Sequence, residues 1–575
     1  MDVSGATVKR QETDAAKIQI AMAESPSAMA KGWHSGITFA DLARLVILVA
    51  LVLVLLTFRD YGITNDEEVQ KIYGQMVLAY YASGFHDLSA LSYKDLYYYG
   101  GLFDFVAAFF NQFSPLGEYE TRHLLGGLVG VLGLLGTWRL GRRLAGDRAG
   151  FLAVCLLAVT PAYYGPAFNN PKDIPFAVGM VWTLLTICQL IPHLPRPPLR
   201  RVMSFALSLG LTLGVRVGGG LAGVYLAIIL LAYLAWRGLE TRSLKVAGDE
   251  ARTLALALLP ALPIAYATMA ACWPWAYQSP FNPLVAVAHF SHYGINIETL
   301  MAGQWLPAGH LPAIYLPLYL LVKVPELVLA GTIVGLVMVT IWLFRLRQRA
   351  TIEKAKILQL AAVVLAAAFP LAFFVIERPT IYNGLRHFEF LLPPFAVIAA
   401  VGLHSLWTRI SQGSERRGKA FGLAFAAAAL LQVWIMASLH PDEYVYFNAL
   451  AGGVKGADGQ FELDYWCNSL AEAARDLTAY IKMENGGREI SRVYKVAVCG
   501  DPLAATYFMP PFMRLTTKAS DADFFISFTQ HGCDHFVNGR EIIAVQRFGA
   551  ALSVVKDLRQ PDQKTASRES WRSVN

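Results

Sequence analysis

The sequence predicts a mainly α-helical, polytopic membrane protein that ends in a small α/β domain. Of its 575 residues, 55% are hydrophobic and only 16% are charged, whereas about a quarter of the residues of a soluble domain are charged. The chain contains about eleven apolar runs, and a run of roughly 18 or more apolar residues is typical of a membrane-spanning helix. After the last run, the chain becomes polar and rich in β-forming residues.

The predicted transmembrane domain covers residues 41–438 and follows a polar tail, residues 1–40. No short apolar core follows the initiating Met, so we predict no cleavable signal and a loosely attached cytoplasmic tail. The spans are predicted at about 41–58, 123–139, 149–164, 174–192, 203–215, 219–236, 253–272, 326–344, 357–376, 389–407 and 419–438.

Loop charge predicts the orientation of these spans. Cytoplasmic loops of membrane proteins collect Lys and Arg, and every second loop here is basic; the first of them carries Arg139, Arg142, Arg143 and Arg148. The other loops are longer and poorer in positive charge. This alternation places the N-terminus in the cytoplasm and, with an odd number of spans, the segment 439–575 on the outer side. The net charge of +7 fits basic loops, and we predict no nucleic-acid partner.

Two adjacent acidic residues stand at the outer end of the first span. Asp66 and Glu67 lie in "TNDEEVQ" (64–70), shortly after a long apolar run. A solvated loop that ends the helix is the simpler interpretation. Because charged groups near a bilayer face are costly unless they meet water or a partner, we also predict a catalytic carboxylate here. Such a group could take a proton from a hydroxyl or amine nucleophile.

A third acidic residue, Asp173, precedes another span in "NNPKDIPF" (169–176). Asp before Ile-Pro is also a reasonable helix cap, and a cap at the wall of a cavity would be well fixed, so the two interpretations are compatible. The neighbouring Lys172 could bind an anion or extend its side chain along the apolar surface to the interface.

A basic pair, Arg386 and His387, opens a late span in "YNGLRHFEFLLPP" (382–394). A guanidinium suits bidentate binding of phosphate, and contact with lipid headgroups is the alternative. Lys323 interrupts the apolar run "YLPLYLLVKVPELVL" (315–329), so it is either a functional residue or an interfacial one.

The order of these motifs resembles that of the GT-C membrane glycosyltransferases, in the superfamily of the protein O-mannosyltransferases and the lipid A aminoarabinose transferase (glycosyltransferase family 39-like). In that family an acidic motif follows the first span, as does "NDEE" (65–68), and an Arg opens the second span, as does Arg122. A second acidic residue precedes a later span, and a basic-aromatic motif before a Pro-containing span holds the donor phosphate, as in "GLRHFEFLLPP". The likeness covers most of residues 41–475.

This resemblance implies a GT-C fold of about eleven transmembrane helices and an inverting sugar transfer. The donor would be a polyprenyl-phosphate sugar, and the acceptor an extracytoplasmic lipid, glycan or protein. Asp66, Glu67 and Asp173 are the implied catalytic carboxylates, and Arg122 could orient the first two. The implied phosphate-binding residues are Lys172, Lys323, Arg386 and His387.

The same resemblance implies a bacterial inner membrane, with the active site and the C-terminal domain in the periplasm. We predict membrane lipid as a further partner, no nucleotide and no dedicated metal site, although a divalent metal could bind the acidic pair without being required. Many relatives carry His-Pro-Pro in the first outer loop where "YYYGGLFDF" (97–105) stands here. The identity of the sugar therefore cannot be carried over.

A transporter or flippase of a lipid-linked or anionic substrate is the alternative function. Transport predicts ionisable groups at mid-membrane depth that both sides can reach, whereas the candidate residues here lie at one predicted face.

In the outer segment, 439–575, "RVYKVAVCG" and "DADFFISF" predict strands, and "SLAEAARDLTAYIKMENGG" predicts an amphipathic helix. Cys467, Cys499 and Cys533 allow one disulfide, whose pairing stays open. "FELDYW" (461–466) is either an acceptor contact or a packed aromatic turn.

Overall fold

The computed structural model describes residues 37–291, 294, 296–346 and 354–559. The predicted tail therefore lies almost wholly outside the described residues. The first part of the fold consists of helices, which are α1 (Phe39–Thr57), α2 (Glu67–Ala82), α3 (Leu102–Asn111), α4 (Glu118–Ala158), α5 (Pro161–Tyr164), α6 (Pro166–Asn169), α7 (Asp173–Leu190), α8 (Leu199–Leu213), α9 (Gly220–Thr241), α10 (Leu244–Leu258), α11 (Ala261–Cys272), α12 (Pro274–Gln278) and α13 (Asn282–Ser291).

A short antiparallel hairpin, β1 (Glu298–Met301) and β2 (Gln304–Pro307), separates these helices from the next group. That group consists of α14 (Tyr315–Lys323), α15 (Glu326–Leu346), α16 (Lys354–Glu377), α17 (Leu392–Gly413) and α18 (Glu415–Leu439). A 3₁₀ helix, Arg386–Leu391, leads directly into α17. The described part of the chain ends with α19 (Gly453–Ala457), α20 (Leu470–Glu484), β3 (Tyr494–Cys499), α21 (Pro502–Thr506), β4 (Met513–Leu515), β5 (Phe524–Phe528), β6 (Arg540–Arg547) and β7 (Ala550–Asp557).

Within the described residues, eight helical segments are long and apolar enough to cross a membrane, or nine if α14 and α15 form one span bent by 116°. These lengths and compositions are those of a multi-pass membrane protein. The count of about eleven spans is not confirmed. The predicted span 203–215 falls in α8, which has only 15 residues and is shorter than the roughly 17 residues that crossing requires.

The predicted spans 123–139 and 149–164 meet in α4, a 41-residue helix that is broken at Ala145 and Gly146. A straight helix of that length would extend for about 60 Å, twice the hydrocarbon thickness of a bilayer. Instead, a Cβ added at Gly150 would lie 2.9 Å from Trp138 Cδ1, although 12 residues of straight helix cover about 18 Å. The chain therefore reverses at Gly146, whose φ of 83° is accessible to glycine at little cost.

Arg148, a basic residue of this turn, lies at the N-terminal end of α1. The guanidinium of Arg148 lies 5.0 Å from the ring centroids of both Phe39 and Trp407, and Phe39 is the first residue of α1. A capping box between Thr38 and Asp41 fixes this end of the helix. Because α1 has 19 residues, its other end, which leads to Asp66, lies about 28 Å away.

The C-terminal region is built on a five-stranded sheet with the strand order β4-β3-β5-β7-β6. Strand β3 is parallel to β4 and β5, and β7 is antiparallel to β5 and β6. The amphipathic helix α20 packs on the sheet through Leu477 and Ile481, which confirms the predicted helix and strands. Cys499 and Cys533 form a disulfide with a Cα–Cα distance of 6.0 Å, whereas Cys467 is a buried free thiol.

The segment between α18 and α20 packs against the helices and not only against the sheet. Tyr444, Phe447 and Trp466 belong to the same apolar core as α7 and α17. "FELDYW" is thus a packed aromatic turn, as one of the two interpretations predicted. The predicted domain boundary at residues 438 and 439 stays a prediction.

Candidate active site

Two acidic and three basic side chains from four distant parts of the chain form one cluster, with Arg386 at its centre. Its Nη2 donates a short hydrogen bond to Asp66 Oδ2, and its Nε lies 3.3 Å from Asp173 Oδ2. Arg216 is paired with the other carboxylate oxygen of Asp173, and Lys172 Nζ lies 3.8 Å from Asp66 Oδ2. We refer to these five residues as the Arg386 cluster. The sequence predicted four of them, and the structure brings these four together.

Asp66 comes from the loop between α1 and α2 and occupies the N-cap position of α2. Its side chain makes no capping hydrogen bond, so the carboxylate is available to Arg386 and Lys172. Burial raises the pKa of Asp66, but the charges of Arg386 and Lys172 outweigh this, and the pKa lies below its usual value. With 23% of its side chain exposed, Asp66 is the most accessible carboxylate of the cluster.

Asp173 is the first residue of α7, and the N-cap is Lys172. The interpretation of Asp173 as a cap is therefore wrong, because its carboxylate binds two arginines. Asn170 fixes it by accepting a hydrogen bond from the Asp173 N–H at 2.9 Å and by donating one to Oδ2 at 3.0 Å. With Asn170 as its anchor and two arginines as its partners, Asp173 is a buried group that holds Arg386 in place.

Aromatic rings enclose the basic side chains of the cluster. The guanidinium of Arg386 lies 5.5 Å from the ring centroid of Tyr382 and 5.2 Å from that of Trp466. Tyr99 lies 5.3 Å from Lys172 Nζ and 5.6 Å from the Arg216 guanidinium. Such walls keep a cation in place without neutralising it.

Glu67 lies beside the cluster but faces away from it. Its Oε2 accepts a hydrogen bond from the Thr64 N–H at 2.8 Å, and its Oε1 lies 3.0 Å from His123 Nε2. The side chain is 1% exposed, so it fixes the loop that carries Asp66. A catalytic role for Glu67 stays a prediction that this geometry does not favour.

The predicted partner of Arg122 is wrong. Its Nη2 lies 2.5 Å from Asp104 Oδ1. Asp104 belongs to α3 and lies within the stretch "YYYGGLFDF". The Glu67 carboxylate contacts His123, the residue after Arg122, instead. Burial raises the pKa of Asp104 to about 6, although Arg122 opposes this shift. Arg122 therefore orients Asp104 and does not contact Asp66.

Lys323 and His387 lie outside the contacts of the cluster. Lys323 is buried, with its Nζ donating a 2.8 Å hydrogen bond to the Tyr444 carbonyl and lying 3.9 Å from the Phe447 ring centroid. His387 follows Arg386 in the chain, and its ring packs edge-on against Tyr382 at 4.8 Å. Their predicted roles in phosphate binding stay predictions.

Residues 105–266 match the family model of the dolichyl-phosphate-mannose-protein mannosyltransferases. This part of the chain resembles that family. The match confirms, over these residues, the resemblance that the order of the motifs indicated; it includes Arg122, Lys172, Asp173 and Arg216. No curated protein matches the chain.

Among solved structures, the chain is similar to the following three. ArnT from Cupriavidus metallidurans, bound to undecaprenyl phosphate, is 14% identical with a TM-score of 0.46, over 89% of this chain and 97% of that one. The oligosaccharyltransferase AglB from Archaeoglobus fulgidus, in complex with an inhibitory peptide and a dolichol-phosphate, is 13% identical with a TM-score of 0.47, over 88% and 71%. The arabinosyltransferase EmbB from Mycobacterium smegmatis is 15% identical with a TM-score of 0.38, over 72% and 39%.

Among the described residues, no group of three or more His, Cys, Asp or Glu side chains is arranged to hold a metal ion. Asp66 and Asp173 each direct one carboxylate oxygen at Arg386, which thus lies between the two carboxylates. The prediction that a divalent metal could bind without being required stays a prediction.

Sequence reasoning did not place two residues of this site. Arg216 interrupts an apolar stretch in "GVRVGGG", which is a signal for a functional residue, but the ends of the adjacent spans were too poorly defined to place it at the outer face. Trp466 gave only the signal of an aromatic turn, and nothing in the sequence relates it to Arg386, which lies 80 residues earlier.

Asn468 connects the loops that carry the two aspartates. Its Oδ1 accepts hydrogen bonds from the Gly62 N–H at 2.8 Å and from Asn169 Nδ2 at 2.9 Å. Its Nδ2 donates to Asp442 Oδ1 at 2.5 Å. One buried amide thereby joins the loop before Asp66, the loop before Asp173 and the segment after α18.

We expect the substitution Asn468→Ala to lower kcat of the reaction proposed below by about ten- to a hundredfold, because small displacements of catalytic groups have effects of this size. The KM for the donor should change less than twofold, since the cations remain in place. Single-turnover and steady-state assays of the purified protein measure both. Asn485→Ala is the control, because the side-chain amide of Asn485 donates to the nearby carbonyls of Arg488 and Glu489, which lie outside the Arg386 cluster. An unchanged kcat would contradict a positioning role.

Proposed function

We propose that this protein is an integral-membrane, inverting glycosyltransferase that moves a sugar from a polyprenyl-phosphate donor to an extracytoplasmic acceptor. The observation that supports this most directly is the position of Arg386 between Asp66 and Asp173. All three lie at helix ends: Asp66 precedes α2, Asp173 begins α7, and Arg386 opens the 3₁₀ helix before α17. A site at the helix ends fits a reaction at the membrane surface better than it fits a transport path through the bundle.

The charge of the cluster suits a phosphodiester. Lys172, Arg216 and Arg386 carry three positive charges, and Asp66 and Asp173 carry two negative ones. The excess of one positive charge balances the single negative charge of a polyprenyl-phosphate sugar. Aromatic rings enclose the cluster and lower its local dielectric constant, which strengthens this electrostatic attraction.

In the proposed reaction, an acceptor oxygen or nitrogen attacks the anomeric carbon on the face opposite the phosphate. A new bond forms at that carbon, and the bond to the phosphate oxygen breaks with its electron pair, so the configuration inverts. Asp66 takes the proton of the acceptor, and polyprenyl phosphate leaves with its added charge stabilised by Arg386 and Lys172. Asp173 and Arg216 hold Arg386 in position.

We also propose a bacterial inner-membrane location, with the cytoplasm at the Arg148 end of the helices and the periplasm at the Asp66 end. The separation of about 28 Å between these ends along α1 supports opposite sides. The C-terminal sheet then lies in the periplasm, where its disulfide is stable.

The proposed function is tested by comparing the glycolipids, polysaccharides and glycoproteins of cells with and without this protein by mass spectrometry. We expect one envelope molecule to lose a mass equal to a single sugar residue. The purified protein with the corresponding polyprenyl-phosphate sugar should restore that mass in vitro. An unchanged set of glycoconjugates together with no transfer in vitro would refute the proposal.

The lowered pKa of Asp66 predicts the pH dependence of the free enzyme. The usual pKa of an Asp carboxyl group is about 3.9, and that of Asp66 lies below it, so Asp66 stays ionised between pH 7 and pH 5. Over this range kcat/KM should therefore not fall. It should decline only as the pH falls through the pKa of Asp66. Transfer assays in constant-ionic-strength buffers measure this profile. A loss with an apparent pKa near 6 would contradict it and would instead assign the base to Asp104, whose pKa is about 6.

A further inference from the structure

A cavity of about 220 Å³ opens between three segments of the outer region. One wall is the β1–β2 hairpin with Trp305, the second is the stretch 458–463, and the third is the turn 529–532 after β5. We refer to it as the hairpin cavity. None of its lining residues belongs to the Arg386 cluster, and the proposed reaction does not use them.

The walls of the hairpin cavity are fixed to one another by direct contacts. The Gly303 N–H donates to the Gln460 carbonyl at 3.0 Å, and Met301 forms a β-bridge with Phe461. Gln530 Nε2 donates to Glu462 Oε1 at 3.0 Å, which ties the third wall to the second. The cavity is therefore preformed, as binding sites for small molecules usually are.

The lining of the cavity combines one aromatic platform with hydrogen-bonding edges. Trp305 stacks on His531 with a centroid distance of 4.3 Å and a plane angle of 24°, and it keeps 36% of its surface exposed. Gln530 uses its Nε2 on Glu462, which leaves its Oε1 as an acceptor, and the Asp458 carboxylate stands at the exposed rim. An aromatic face beside convergent polar groups suits the apolar face and the hydroxyl groups of a sugar ring.

The charge of the cavity excludes strongly anionic ligands. Within the described part of the chain, no Lys or Arg is among its lining residues, and partial burial lowers the pKa of His531. Glu462, the hydrogen-bond partner of Gln530, does not line the cavity; burial raises its pKa to about 7, so this group is not fully charged at neutral pH. A phosphate or carboxylate would meet Asp458 and no cation, whereas a neutral sugar meets donors and acceptors.

A chain of hydrogen bonds leads from Gln530, in the third wall of the cavity, through its partner Glu462 towards Arg386. Glu462 Oε2 accepts a short hydrogen bond from Thr299, and the Thr299 hydroxyl lies 2.8 Å from the Tyr315 hydroxyl. That hydroxyl in turn accepts the Gly384 N–H at 3.0 Å, and Gly384 precedes Arg386 by two residues. Phe461 lines the cavity, and Trp466, five residues later, packs against the Arg386 guanidinium. Five residues of extended chain span at most about 18 Å, which limits the distance between the cavity and Arg386 along this stretch.

We propose that the hairpin cavity binds a neutral sugar ring of the acceptor, so that the acceptor of this enzyme is a glycan. The identification of the ligand as the acceptor rests on the proposed function, whereas the sugar-binding property of the cavity does not. The sugar stacks on Trp305 and bonds to Gln530 and Asp458. The adjoining end of the glycan then extends towards Asp66.

The experiment is saturation-transfer NMR on the full-length protein in lipid nanodiscs with the methyl glycosides of glucose, mannose, galactose and N-acetylglucosamine as probes. We expect saturation transfer to at least one of them. Trp305→Ala should weaken this binding by about two- to tenfold, the size of a lost aromatic contact, while Trp305→Phe should retain most of it. Phe536→Ala, an exposed aromatic of the same region that does not line the cavity, should change nothing.

Asp458→Ala is the second variant, because its exposed side chain can be removed without unfolding the protein, and binding should weaken by about two- to fivefold. Asp66→Asn should abolish transfer but leave glycoside binding intact, so that failure of the two proposals can be told apart. Absence of saturation transfer from every glycoside, or binding that survives both Trp305→Ala and Asp458→Ala, would overturn the cavity proposal. Binding that depends on Trp305 in a protein whose transfer survives Asp66→Asn would overturn the proposed mechanism alone.

Discussion

Replacing Asp66 by Asn is expected to lower sugar transfer by about a thousandfold, the effect of losing a well-placed general base. The substitution keeps the shape of the side chain and removes its charge and its ability to take a proton. Donor binding should not weaken, because the excess of positive charge in the Arg386 cluster increases by one. The predicted signature is therefore a large loss of kcat with an unchanged or lower KM for the donor.

The matched control for this experiment is Glu68→Gln. Glu68 stands two residues after Asp66 in "NDEE", is exposed, and its substitution removes the same charge from the same loop. Its effect on transfer should stay within about twofold, as for most surface changes. Equal losses in both variants would mean that net charge of the loop, and not the Asp66 carboxylate, supports the reaction.

Replacing Arg386 by Lys is expected to lower kcat/KM for the donor by about a hundred- to a thousandfold. Lysine keeps the charge but cannot direct one nitrogen at Asp66 and another at Asp173, as the planar guanidinium does. The cluster should then loosen around the phosphate, and both the KM for the donor and kcat should be affected.

Arg378→Lys is the control for that variant, since Arg378 is an exposed residue of the same loop. The thermal stability of both variants should be measured beside their activity. Breaking a buried ion pair destabilises a protein by about 3–5 kcal/mol, and Arg386→Lys leaves Asp173 partly unpaired. If Arg386→Lys retained more than about a tenth of the wild-type kcat/KM at unchanged stability, electrostatic stabilisation by the guanidinium would not be essential.

The helical architecture was predictable because lipid-facing helices must be apolar along their length, and the sequence shows this directly. The number of spans was harder to predict. The reversal at Gly146 falls where the sequence predicts a basic loop between two spans, so this turn was predictable. The shortness of α8 was not, because the length at which an apolar helix ends depends on how neighbouring helices pack.

The members of the Arg386 cluster were largely predictable, since an ionisable residue at the end of an apolar run is expensive and seldom incidental. Their pairing was not. Arg122 and His123 are neighbours on one helix, and a rotation of about 100° per residue decides which of them faces Glu67. Asp104, the actual partner of Arg122, lies in a stretch that lacks the motif expected from the resemblance, so no motif pointed to it.

The contributions of Trp466 and Asn468 have a consequence for how the protein is made. Both residues follow the last long apolar helix, and Arg547, near the end of the described chain, closes over this region by binding Asp442 at 2.8 Å and the Leu439 carbonyl at 3.1 Å. The Arg386 cluster therefore acquires its final support only after the strand that carries Arg547 has been synthesised. A chain truncated after α18 would lack Trp466, Asn468 and Arg547, and with them this support of the Arg386 cluster.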